Sequence, residues 1–127
     1  MTSAPRPRPK YYDLNLLHLP PAGLVSIFHR VTGGLLFLGI PVLLYTLQLA
    51  LSSEAGFETV RACLTSPLMK VVLLGITWLY AHHFFAGIRY LLLDFHIGIE
   101  KRPSGISARV VLALGVIATL VVAGMIW

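Results

Sequence analysis

Three stretches of the chain run without a charged residue over roughly the length a bilayer demands. They are Val31–Ser53, Val71–Ile88 and Val110–Trp127. A spanning helix needs about 20 mostly apolar residues, within a range of about 17–25. The helices are predicted to overrun these stretches. The first begins near Gly23, because no breaker interrupts residues 26–33. The second runs from about Met69 to Leu93, with Pro67 just ahead of it, where a helix start tolerates proline. The third begins near Ser107, a plausible N-cap. The expected spans are about 23–51, 69–93 and 107–127. The connectors between them are polar. Residues 52–66 carry Glu54, Glu58 and Arg61; residues 94–107 carry Asp94, Glu100, Lys101, Arg102, Pro103 and Gly105. The pattern predicts an all-α integral membrane protein with three transmembrane helices over residues 22–127. Residues 1–21 are expected to form an extramembrane arm, kept extended by its prolines. No apolar run follows the arm's basic residues closely enough for a secretory signal.

Composition sharpens this reading. The chain is 57% hydrophobic and 12% charged, whereas a soluble domain carries about a quarter charged residues. The net charge of +5 does not indicate nucleic acid, because the basic residues flank apolar runs and form no separate stripe. They read as topology signals. Arg6, Arg8, Lys10 and Arg30 lie on the arm's side, as do Arg89, Lys101, Arg102 and Arg109 around the second connector. Only Arg61 and Lys70 lie on the other side. The arm and second connector are therefore expected in the cytoplasm, with the first connector and Trp127 outside. A single cysteine, Cys63, precludes an internal disulfide and offers no zinc spacing.

Ionisable residues inside a span are costly and mark cofactors, relays or bundle interiors. On the second helix His83, Gly87, Tyr90 and Asp94 recur at helical spacing and share a face. A glycine one turn from a histidine leaves space for a flat group, and histidine is a common haem-iron ligand. His82 points about 100° away, on the face of Ala86 and Arg89. The two histidines cannot both ligate one haem, and geometry alone leaves either as the ligand; His82 is expected instead to hydrogen-bond a neighbouring helix. Helices one and two are antiparallel, so Ser26, His29 and Arg30 should lie at the depth of Arg89 and Asp94. His29, Arg30 and Arg89 can neutralise haem propionates. Ser26 and Arg30, one turn apart, offer a hydroxyl and a permanent cation, suited to a carbonyl that gains charge on reduction. Arg30 also has a bland alternative, snorkelling to the headgroups. On the third helix Gly115, Thr119 and Ala123 form a small-residue stripe for close packing.

SIFHRVTG at 26–33, followed by HHFFAGIRYLLLDF at 82–95, resembles the cytochrome b membrane anchors of succinate dehydrogenase, respiratory complex II. The resemblance covers nearly the whole chain. It implies that His83 is the axial ligand of haem b and that Ser26 and Arg30 belong to the quinone site. It further implies a heterodimeric helix bundle around the haem, with a smaller anchor subunit supplying the second histidine. An iron–sulfur subunit and an FAD-bearing flavoprotein would dock on the cytoplasmic face of a bacterial inner membrane. The activity implied is ubiquinone reduction with electrons from succinate. Some relatives carry histidine where this chain has Tyr90, which leaves Tyr90 only a neutral donor toward a propionate. Two alternatives stand beside this reading: a quinol:fumarate reductase anchor, running the reaction in reverse, and a haem-free anchor or transporter subunit. A proton-coupled transporter fits poorly, because Asp94 sits at a helix end.

Overall fold

The computed structural model describes residues 19–127. It contains four helices: α1 (Pro21–Ser52), α2 (Glu54–Thr65), α3 (Pro67–Asp94) and α4 (Lys101–Ile126). Three of them, α1, α3 and α4, are long and apolar enough to cross a membrane. At about 1.5 Å per residue, the 32 residues of α1 extend about 48 Å. That exceeds a hydrocarbon core of about 30 Å, so α1 must tilt or project beyond it. Pro41 lies inside α1 without ending it, as transmembrane helices permit.

Each helix start and corner has a local cause. Pro20 is the N-cap of α1 and Pro21 opens it, where a missing N–H costs nothing. Ser53 alone separates α1 from α2, and its hydroxyl accepts the Gly56 N–H at 3.0 Å. Gly56 is buried at this corner, and a side chain there would run into the Leu49 carbonyl. The first connector, expected to be merely polar, is thus mostly the helix α2. Its exposed Glu58 and Arg61 pair at 3.3 Å. Ser66 separates α2 from α3, donating to the Cys63 carbonyl at 2.7 Å. Pro67 opens α3 as its spacing implied.

The α3 C-terminus closes in a Schellman motif. His96 N–H donates to Leu93 O at 2.9 Å and Ile97 N–H to Leu92 O at 3.0 Å. This requires a left-handed residue, and His96 adopts φ 61°. Helix α4 then starts at Lys101, six residues ahead of the expected Ser107, with Glu100 as N-cap. Pro103 sits in the first turn, where proline is tolerated. Ser107 is therefore no cap; its hydroxyl serves a contact between helices described below.

α3 is central, packing against both α1 and α4. The buried apolar cluster is small: Val25 from α1, Ala86 from α3, Ala108 and Val111 from α4. Close approach replaces bulk. Gly115, the first member of the small-residue stripe, is buried on α4. A Cβ added to it would lie 3.6 Å from the Cα and Cβ of His82 and from Trp78 Nε1. Large side chains such as Phe37, Leu51, Leu68 and Met125 face outward, as lipid-facing helices allow.

Candidate functional site

Helices α1 and α3 cross where each carries a histidine four residues before a glycine: His29 and Gly33, His83 and Gly87. The two pairs meet reciprocally. A Cβ at Gly33 would stand 2.9 Å from His83 Cε1, and one at Gly87 would stand 3.8 Å from His29 Nε2. The imidazoles stack at 4.3 Å between centroids and 13° between planes. Tyr90 lies against the His29 ring at 5.0 Å. A side chain at Gly33 would displace the His83 ring, which occupies its flank. At Gly87 the side chain nearest the backbone is the His29 imidazole.

The polar contacts fix the state of His83. Its Nδ1 lies 3.1 Å from the His29 carbonyl oxygen and 3.4 Å from Thr32 Oγ1. The Thr32 hydroxyl donates its proton to the Phe28 carbonyl at 2.7 Å, so toward His83 it can only accept. A carbonyl also only accepts. Both neighbours therefore assign the proton to Nδ1 and leave the Nε2 lone pair free. A neutral imidazole tied through one nitrogen to a backbone carbonyl is prepared for metal ligation by the other. The donor chemistry at His83 thus fits a haem iron. Thr32, 1% exposed, is the residue whose part in this clamp the sequence reading passed over.

Ser26 and Arg30 follow one another by one turn on α1, Ser26 half-buried and Arg30 exposed. Their side chains form no hydrogen bond among the described residues. Asp94 ends α3 and is exposed. The helix register places Ser26, His29 and Arg30 on the same turns of α1, with His29 against α3.

Two further candidate residues, Arg89 and His82, face the helix packing. Arg89 turns its guanidinium toward α4. It is 5% exposed, and it donates from Nε to Ser107 Oγ at 3.0 Å and from Nη2 to Ser104 Oγ at 2.9 Å. It lies about 120° round α3 from His83, ties that helix to α4, and has its guanidinium 5.5 Å from the centre of the Tyr90 ring. His82 faces the Val25 backbone of α1, the neighbouring helix on which its hydrogen bond was expected. It is fully buried, and among the described residues neither ring nitrogen has a partner at full hydrogen-bond geometry. Aromatic packing holds it: stacked on Trp78 at 5.3 Å and edge-on to Phe28 at 5.8 Å. Enclosed by the chain's own helices, His82 is closed to a large planar ligand.

The sequence profile described as succinate dehydrogenase/fumarate reductase transmembrane subunit matches residues 4–122. The chain belongs to this family. Among its relatives is the succinate dehydrogenase cytochrome b556 subunit of Coxiella burnetii, 34% identical over 122 residues, covering 94% of this chain and 97% of the relative. The subunit of the same name from Paracoccus denitrificans is 31% identical over 110 residues, covering 87% and 85%. That of Rickettsia felis is 25% identical over 113 residues, covering 89% and 88%. As a succinate dehydrogenase/fumarate reductase transmembrane subunit, the chain is the multi-pass membrane part of a larger enzyme. The three long apolar helices are what that role requires.

Proposed function

We propose that the chain is the haem-carrying cytochrome b anchor of a succinate:quinone oxidoreductase, with His83 as axial ligand. The observation that carries this is the clamp on His83 Nδ1 by the His29 carbonyl and Thr32, which leaves Nε2 available. Haem b, when bound, supplies a one-electron relay. His83 would hold the iron through Nε2, with a histidine of a smaller anchor subunit as the second ligand. His29 and Arg30 would pair with the propionates, Arg30 as the cation and His29 as a hydrogen-bond donor. Ser26 and Arg30 hold the ubiquinone ring at the same end of α1. Arg30 keeps its charge at every relevant pH, so it stabilises negative charge on a reduced carbonyl without titrating. Ser26 donates or accepts one hydrogen bond and orients the ring. The iron–sulfur and flavoprotein subunits dock at this end, on the cytoplasmic side.

The test uses the assembled complex. The wild type should give a reduced-minus-oxidised b-type band. His83→Leu should abolish its low-spin form, whereas His82→Leu should keep it; the reverse pattern overturns the assignment. Ser26→Ala and Arg30→Leu should leave succinate oxidation by an artificial dye intact. Both should lower ubiquinone reduction by about 10²–10³-fold, the scale of one lost charge-stabilising donor. Wild-type quinone reduction in both variants would leave these residues as helix-end anchors.

A further inference from the structure

The buried cation at Arg89 is the feature that the proposed function does not use. Its guanidinium is permanently charged, and it is 5% exposed. Its partners are neutral: the hydroxyls of Ser104 and Ser107, at 3.3 Å the Ser104 carbonyl, and the Tyr90 ring face at 5.5 Å. Among the described residues the one ion pair is Arg61 with Glu58, so no carboxylate offsets Arg89. A buried charge without a counter-charge is expensive. The setting adds to the positive excess. Ser104 and Ser107 lie in the first turns of α4, whose N-terminus carries positive partial charge and has no side-chain cap.

Arg89 and Ser107 form the polar part of the wall of a cavity of about 500 Å³ between α3 and α4. The rest of the wall is almost wholly apolar, including Phe85, Ile88, Leu92, Ile106, Val110 and Leu114. From Pro103 to Leu114 it follows α4 for about 16 Å, at about 1.5 Å per residue. Its rim is open, with Ile88, Ile106 and Val110 exposed. Arg89 precedes the end of α3 at Asp94 by five residues, or about 7.5 Å, a depth near the headgroups. Exposed Lys101, Arg102 and Arg109 surround the same end.

We propose that this groove binds an anionic phospholipid of the bilayer. The lipid phosphate neutralises Arg89 beside Ser107, and one acyl chain lies along α4 toward Leu114. The shape alone would admit any apolar chain; the uncompensated cation at the polar end selects an anionic amphiphile. A neutral quinone or zwitterionic lipid leaves the charge unbalanced.

The assembled complex, equilibrated in micelles with equal phosphatidylglycerol and phosphatidylcholine, is the object of the test. Native mass spectrometry should show one phosphatidylglycerol retained in preference. Arg89→Gln should cut that preference about tenfold, the scale of one charge-assisted hydrogen bond. Val110→Trp, which fills the groove and keeps the cation, should lower retention similarly even where Arg89→Gln fails to assemble. Arg61→Gln, on α2 and outside the groove, should leave it unchanged. Equal retention of the two lipids by the wild type, or undiminished preference in both groove variants, overturns the proposal. So does loss of haem without loss of lipid in Arg89→Gln, which would give the cation to a propionate. Quantitative cross-linking of Ile106→Cys, in a Cys63→Ser background, to the partner anchor would make the groove a subunit interface and also overturn it.

Discussion

Gly33 has the tightest environment at the histidine crossing. A Cβ there, 2.9 Å from His83 Cε1, forces the ring off the His29 carbonyl that fixes its proton. Gly33→Ala is therefore expected to weaken haem retention by about 10–100-fold, the usual cost of disturbing a ligand's supporting contacts. Gly34→Ala is the matched control, because nothing lies within 4 Å of a Cβ at Gly34. Haem-to-protein ratios of the two purified variants check this; equal ratios refute it. His96 offers a second test. It holds the left-handed C′ position of a Schellman motif at φ 61°, where glycine carries no Cβ penalty. His96→Gly should stabilise the α3–α4 corner by about 1 kcal/mol, seen as raised resistance to unfolding in detergent. The repeated His-x-x-x-Gly spacing of residues 29–33 and 83–87 was in the sequence from the start. Its reciprocal fit was not, because it depends on the depth at which two antiparallel helices cross. The Arg89 contacts with Ser104 and Ser107 were not legible for a related reason: both serines lie on a helix whose start was placed too late.

The elements divide by what defines them. The three spans were legible because bilayer thickness sets their length, and Pro67 marked its helix start correctly. Helix α2 was not, because a short helix with Glu54, Glu58 and Arg61 has neither the hydropathy of a span nor the composition of a loop. Its position depends on the corner at Ser53 and Gly56. Gly56→Ala places a methyl against the Leu49 carbonyl and should open that corner. Limited proteolysis should then cleave near Ser53 in the variant and spare the wild type. The early start of α4 escaped notice because Ser107 looks like a cap, whereas Glu100 and Pro103 open the helix without a side-chain cap bond.

For the whole molecule, three crossings put the two ends of the chain on opposite sides of the membrane. The eight basic residues on the arm's side, against Arg61 and Lys70 on the other, predict a cytoplasmic arm. An alkaline-phosphatase fusion should be active after Trp127 and inactive on the arm; the opposite result inverts the topology. The small core has a further consequence. Only Val25 and Thr32 of the long α1 are buried, and the central cluster consists of alanines and valines. Inserted alone, the chain has spans but little to lock them together, so it should be an orphan that quality-control proteases recognise. Its abundance in the cell should then be set by the supply of its partners, and overexpressing it by itself should raise turnover before it raises the amount of protein.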